Sequence, residues 1–104
     1  MGVVIVIPAD KALGIRSRHT DERPQVPELQ ALVGGYIEAV PQWVDYIGTP
    51  CVVYCNEEGK LDELPVNIRA TALWWKARGR PADDVLVGDI VLVVGLPDKE
   101  GNDE

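Results

Sequence analysis

Two segments of the chain are apolar at every position, and the pattern predicts that both are buried strands. Residues 3–7 form an unbroken run of β-branched side chains that ends at Pro8, and residues 90–94 form a second apolar run. A strand that covers only one face of a sheet alternates apolar and polar side chains. A run without alternation indicates that both faces are covered. We therefore place both segments in the interior of a sheet.

Two further strands are predicted between these runs. Residues 36–40 alternate around Ile37 and Ala39, and residues 51–55 are followed by the turn-forming sequence 56–59, which ends in Gly59. The connection at 41–50 carries Trp43 and is too apolar to be fully solvated. Residues 9–27 are rich in charged and turn-forming side chains, which predicts a long mobile loop or, at most, a short edge strand around residues 13–16. The acidic residues 97–104 are predicted to form a frayed tail.

Two helices are predicted from their start and stop signals. Pro27 and Glu28 suit the first turn of a short helix that ends at Gly34 and Gly35. The second helix spans residues 66–78 and ends at Gly79.

The resulting order, β-α-β-β-α-β, predicts one α+β domain over residues 1–104. We expect a mixed or antiparallel sheet with two helices. The common solution for this order is the ferredoxin-like arrangement, with both helices on one face. A strongly curved or barrel-like sheet is the alternative, because it would bury the last strand better.

The second helix has apolar side chains on two sides. At 100° per residue, a narrow stripe of small and medium apolar side chains is predicted to face the core: Val66, Ala70, Leu73 and Ala77. A second apolar group lies roughly opposite: Ile68, Ala72 and Trp75. This second side is either covered by the connection around residues 43–47 or by the N-terminal loop, or it is an interaction surface. In the latter case we expect the chain to pair with itself, as a homodimer or small oligomer, or with a host protein.

Composition and charge remove several function classes. The 104 residues are 46% hydrophobic, which argues against disorder, and the net charge of −7 argues against direct nucleic-acid binding. An acidic DNA mimic is a third and weaker hypothesis, because the carboxylates are scattered between turns and tail.

The N-terminus has neither a basic region nor a long apolar segment, and Val6 replaces the Ser or Thr of a myristoylation signal. We expect a cytoplasmic protein that does not bind membranes.

The residue types that carry chemistry do not form a recognisable catalytic or metal-binding pattern. Cys51 and Cys55 are too far apart on one strand for a disulfide and lack zinc-ligand spacing, so we expect free thiols. His19 is the only histidine and lies in a polar loop. Phosphate-binding glycine motifs are absent. We therefore expect no metal, no cofactor and no enzymatic activity.

A ligand-binding site is the alternative to an interaction surface. Asn67, Arg69 and Thr71 form a polar row on the second helix. This row would bind a nucleotide-like ligand if it lay beside the Gly34-Gly35 turn and Glu38. Adequate structural roles also exist for Asn67, near the helix start, and for Thr71, which can bond to a backbone carbonyl. Basic residues at 16–23 and 76–80 would form an anion site only if the two groups met in space.

Four blocks of the sequence resemble a known family. The blocks are LQALVGGYIEAV at 29–40, VYCNEEGKL at 53–61, LPVNIRATAL at 64–73 and VGDIVLVVG at 87–95. In order and spacing they resemble a domain of unknown function, family 3846, which is common in bacteriophage and actinobacterial genomes. The resemblance covers residues 28–95 and implies a small phage or prophage accessory protein without an established activity. The matching positions are Gly34, Gly35, Glu38, Asn67, Arg69, Thr71, Gly88 and Asp89. Ile68 stands where the family is expected to have a polar or basic residue.

Overall fold

The computed structural model describes residues 2–81 and 83–96, so the predicted acidic tail at 97–104 lies outside the described residues. The strands are β1 (Gly2–Ile7), β2 (Arg16–Thr20), β3 (Ile37–Ala39), β4 (Asp45–Tyr46), β5 (Thr49–Asn56) and β6 (Ile90–Val94). The helices are α1 (Val26–Val33) and α2 (Ile68–Arg78).

The strands form one open antiparallel sheet in the order β2-β1-β6-β5-β3, and the short strand β4 pairs with β5 outside this path. The last strand, β6, occupies the centre between β1 and β5. Its Val93 is paired with Val4 on one side and with Val52 on the other. The α+β class and the antiparallel sheet with two helices are thus confirmed.

The two helices lie on opposite faces of this sheet. On one face, Leu92 packs in a cluster with Trp74 of α2. On the other face, Val93 packs in a cluster with Leu29 of α1. The arrangement therefore differs from the ferredoxin-like one, in which both helices share a face. The reason is the apolar run of each central strand, because successive side chains point to opposite faces and each face needs its own apolar cover.

The N-terminal connection contains an edge strand at Arg16–Thr20, a few residues later than the sequence pattern predicts. Its side chains are exposed on both faces except at Thr20, which is partly buried. No apolar alternation therefore marks it in the sequence. Its backbone pairs with β1, with Arg18 opposite Val4.

The buried face of α2 is not the predicted apolar stripe. Only Ala70 of that stripe is buried, while Val66 is 47% exposed. The buried residues of the helix are Ala70, Thr71 and Trp74, which lie about a quarter turn from the predicted direction. The prediction is wrong because a polar side chain, Thr71, is buried here through hydrogen bonds to the backbone. The helix also begins at Ile68 rather than Val66, because Val66 forms a β-bridge with Val87.

Candidate functional site

Asn67 lies at the centre of a buried hydrogen-bond network rather than at a surface site. Its side chain is fully buried and caps α2 by accepting a hydrogen bond from the backbone N–H of Ala70, at 3.0 Å. Its Nδ2 donates to the carbonyl of Ile7 at 2.7 Å and to that of Gly88 at 2.9 Å. The amide thus joins the start of α2 to the end of β1 and to the turn before β6.

The neighbouring polar residues of α2 also bind the backbone. Thr71 Oγ1 accepts a hydrogen bond from the N–H of Leu86 at 2.9 Å. Arg69 Nη2 donates to three carbonyls of the N-terminal loop, those of Pro8 at 2.7 Å, Asp10 at 3.1 Å and Leu13 at 2.9 Å. The polar row expected to bind a ligand is thus engaged in holding the loops against the helix.

The two glycines of the proposed ligand site lie on a different surface. Gly34 and Gly35 line a shallow groove of about 260 Å³ with Asn56. A Cβ atom on Gly35 would approach Asn56 Nδ2 to 2.8 Å. The Asn56 amide in turn donates to the carbonyl of Val33, at 3.3 Å. A side chain at position 35 would therefore have to displace the Asn56 amide from its place between the end of α1 and β5.

Glu38 lines a separate groove of about 260 Å³ between β3 and the segment that precedes β6. Burial, with a further contribution from Glu38, raises the pKa of the Cys55 thiol to about 11. Across the groove, the hydrogen bond from Lys60 lowers the pKa of Asp84. Since a thiol with a raised pKa is protonated at neutral pH, Cys55 lacks the activation that a nucleophile needs. Within residues 2–81 and 83–96, no group of three His, Cys, Asp or Glu side chains is placed to hold a metal ion.

The second apolar side of α2 is partly open. Ile68 is 55% exposed and Ala72 is exposed, whereas Trp75 is partly buried against the core. The Trp75 indole N–H donates to the carbonyl of Asp84 at 3.0 Å. The segment before β6 therefore covers part of this side, and the 43–47 connection lies instead against the other flank, beside Leu73. We call Ile68, Ala72 and Trp75 the α2 strip.

A more exposed apolar surface lies at the hairpin that joins β4 to β5. Val44 is 70% exposed, and Ile47, at the tip of the turn, is 85% exposed. Ile47 has a φ of 49° and is followed by Gly48 with a φ of 81°. Because Tyr46 pairs directly with Thr49, this is a two-residue turn with positive φ at both central positions, as in type I′. Such a position favours Asn or Gly, and a β-branched residue there is strained.

The hairpin borders a groove of about 400 Å³ on the surface of α2. The groove is lined by Trp43, Asp45, Tyr46, Ile47, Leu73, Lys76 and Ala77. We call this surface the hairpin groove. The sequence analysis did not predict this surface. The sequence does contain one signal for it, because Ile47-Gly48 has Ile at the position where a turn of this type usually has Asn.

Arg18 and Arg78, one from each group of basic residues, lie on opposite sides of the sheet. Arg18 forms an ion pair with Glu28 of α1. Arg78 stacks over the ring of Trp74, 5.5 Å from its centroid, on the face that α2 covers. The anion site that required the two groups to meet is thus not formed by these two arginines.

Several positions that match the family pattern belong to the hydrogen-bond network around Asn67. Gly88 has a φ of 74° and presents its carbonyl to Asn67. Asp89 Oδ1 accepts a hydrogen bond from the N–H of Ala9 at 3.0 Å. With Asn67, Arg69 and Thr71, these residues hold the ends of β1, α2 and β6 together. These five matching positions therefore have structural roles in the fold.

No helix in the described part of the chain combines the length and apolarity needed to cross a membrane.

Comparison with known proteins agrees with the four sequence blocks. No curated protein and no solved structure matches the chain. The family model of DUF3846, a domain of unknown function, matches residues 1–104, including the N-terminal residues outside the four blocks. The chain therefore belongs to the DUF3846 family.

Proposed function

We propose that this chain is a non-enzymatic protein-interaction module that pairs with itself or with a host protein. Its origin in a phage or prophage, and its action in the cytoplasm of the bacterial host, are parts of the same proposal. The phage origin is supported by the sequence blocks shared with a family common in such genomes. The cytoplasmic site is supported by the free thiols of Cys51 and Cys55, which are typical of reducing compartments.

The exposed and strained Ile47 is the observation that carries the proposal. A β-branched residue with positive φ costs about 1–2 kcal/mol relative to a residue that adopts this conformation freely. The Ile47 side chain is also 85% exposed, so burial in the chain's own core does not offset this cost. Asn at this position would relieve the strain. Contact with another molecule would bury the exposed Ile47 side chain and so offset the free-energy cost of its conformation.

The α2 strip is a second contact surface in this proposal. Its support is the exposure of Ile68 and Ala72 on the outer part of the helix. Because Trp75 also contacts the core, its contribution is that of a partly covered neighbour. Variants of Ile68 and Ala72 therefore test this surface more cleanly than variants of Trp75.

Binding of a nucleotide-like ligand, the alternative function, has less support. Asn67 and Thr71 use their side-chain polar groups within the fold, and Gly34 and Gly35 line a different groove from Glu38. A thermal-shift screen tests it, because a nucleotide at about 100 times its Kd would stabilise the chain by about 2.7 kcal/mol.

Capture of partners by immobilised protein tests the proposed function. The full chain, an Ile47→Asn variant and an Ala72→Glu variant are compared in lysate from a bacterial host, and each captured protein is purified and tested again for direct binding. We expect Ile47→Asn to retain the fold and to lose the partner. Glu63→Asn is the matched control, because Glu63 also has positive φ, at 57°, but carries an exposed polar side chain that does not line the hairpin groove. Failure of the chain to bind any protein, itself included, contradicts the proposal.

A further inference from the structure

We infer that the hairpin groove binds a second copy of this chain around a two-fold axis. This inference rests on the proposed function and specifies its partner. The feature that carries it is a juxtaposition on one surface: the exposed Ile47 side chain borders the groove whose walls include Leu73 and Ala77. A projecting apolar side chain and an apolar groove next to each other form a surface that can be complementary to itself.

The hairpin groove offers what a projecting aliphatic side chain needs. Its volume is about 400 Å³, and the ring of Trp43 is buried beneath it. Leu73 is partly buried and Ala77 is exposed, so α2 contributes two apolar side chains to the groove beside the charged Lys76. In a two-fold pairing, Ile47 of each copy lies in the groove of the other copy, and both exposed side chains are covered at once.

Two opposite charges in the hairpin groove favour a second copy of the same chain as the bound partner. Asp45 on the hairpin and Lys76 on α2 are both exposed and line the same groove. Lys76 has no ion-pair partner among the described residues. A two-fold axis brings the hairpin of one copy to α2 of the other, so that each Asp45 faces the partner's Lys76. Two ion pairs then form across the interface, even though each chain carries a net charge of −7.

Charge reversal at these two positions distinguishes this pairing from other forms of self-association. Asp45→Lys places Lys opposite Lys at both contacts, and Lys76→Asp places Asp opposite Asp. Each variant alone should therefore dissociate. When the two variants are mixed in equal amounts, both contacts in the mixed dimer again join opposite charges. An interaction within one chain cannot produce this recovery, because each chain in the mixture keeps its own like charges.

The measurement is sedimentation equilibrium of the purified full chain over a wide concentration range. We expect a wild-type dimer, a dimer Kd weakened about tenfold or more for each single variant, and recovery in the mixture. The controls, Asp21→Lys and Lys11→Asp, make the same changes in net charge at exposed positions away from the groove. Circular dichroism verifies that each variant is folded. Ile47→Asn should also dissociate the dimer. At concentrations below the wild-type dimer Kd, where pairing does not stabilise the folded chain, it should raise the melting temperature because it relieves the strain at position 47.

Three results would overturn the inference. The first is a monomeric wild-type chain, and the second is a mixture that remains monomeric although each variant is folded. The third is a dimer that Ala72→Glu dissociates and that Asp45→Lys and Lys76→Asp leave intact, because the α2 strip would then be the dimer interface. If the wild type is monomeric but captures a host protein through Ile47, the inference fails and the proposed function stands. If it is monomeric and captures nothing, both fail.

Discussion

The side-chain amide of Asn67 donates a hydrogen bond of 2.7 Å to the carbonyl of Ile7, across 60 residues of sequence. The same side chain caps α2 and bonds to the carbonyl of Gly88. One fully buried polar group therefore fixes three separate parts of the chain. Because the Asn67 side chain is fully buried, each of the two carbonyls would lose a buried hydrogen-bond donor if the amide were removed.

Asn67→Ala is expected to lower the free energy of unfolding by about 3 kcal/mol, the sum of a lost helix cap and two buried hydrogen bonds. Urea denaturation followed by circular dichroism measures this loss. Asn67→Ser retains an oxygen that can cap the helix, so it should lose about 1 kcal/mol less. A loss below about 1 kcal/mol for the Ala variant would contradict the role of Asn67 in joining the three segments.

Gly88→Ala is expected to destabilise the chain by about 1–2 kcal/mol or more, because Gly88 has a φ of 74° and an added Cβ would lie 2.9 Å from Leu64 Cδ1. Gly14 provides the matched control, since a Cβ there meets no atom within 4 Å and its φ is not positive. Gly14→Ala should be neutral or slightly stabilising. Equal midpoints of thermal unfolding for the two variants would argue against strain at Gly88.

Arg69→Met is expected to release the N-terminal loop, because Arg69 donates hydrogen bonds to the carbonyls of Pro8, Asp10 and Leu13. Trypsin cleaves after Lys11 and Arg16, which lie in and directly after this loop. The rate of cleavage under native conditions should rise about tenfold, which corresponds to a loss of about 1.4 kcal/mol in local stability. Arg80→Met, directly after the same helix and exposed, is the control, and an equal effect of both variants would contradict the assigned role of Arg69.

The cysteine thiols are expected to react slowly with a disulfide reagent at pH 8. Burial raises the pKa of both Cys51 and Cys55 to about 11 in the folded chain. The folded state therefore retains these protons at a pH where the unfolded chain has begun to release them. The resulting stabilisation is present below pH 9, the ordinary pKa, and is lost as the pH rises towards about 11.

Labelling kinetics of the folded chain measure this effect, with the denatured chain as reference and Cys51→Ala and Cys55→Ala to separate the two thiols. The labelling rate of each thiol should increase steeply between pH 8 and pH 11. Rapid labelling of the folded chain at pH 8 would contradict the raised pKa values.

Local sequence signals predicted most of the elements but not the direction in which α2 faces. The glycine at position 79 and the apolar run at 90–94 identified the helix end and the central strand, because these signals act within a few residues. The buried face of α2 was misjudged because binary patterning treats Thr71 as a surface residue. Its burial depends on the backbone N–H of Leu86, 15 residues away.

One part of the candidate interaction surface could be predicted from the local sequence, and the other part could not. The helical periodicity identified the apolar side that contains Ile68, and only the packed structure shows that Ile68 is exposed. The hairpin groove requires the contact between residues 43–47 and the flank of α2, and no periodicity within either segment encodes that contact. The edge strand β2 was placed imprecisely for a related reason, because backbone pairing with β1 holds it and its side chains are exposed.

The class of the fold, the approximate positions of the helices and most strands, and the family can all be predicted from the amino-acid sequence, because they depend on side-chain patterns and turn residues that are local in the chain. Three properties become visible only in the folded chain. The helices cover opposite faces of the sheet, the polar row on α2 is internal, and an exposed isoleucine borders a groove. These properties depend on which distant groups meet, and burial and hydrogen bonding between distant segments are settled only when the whole chain is packed.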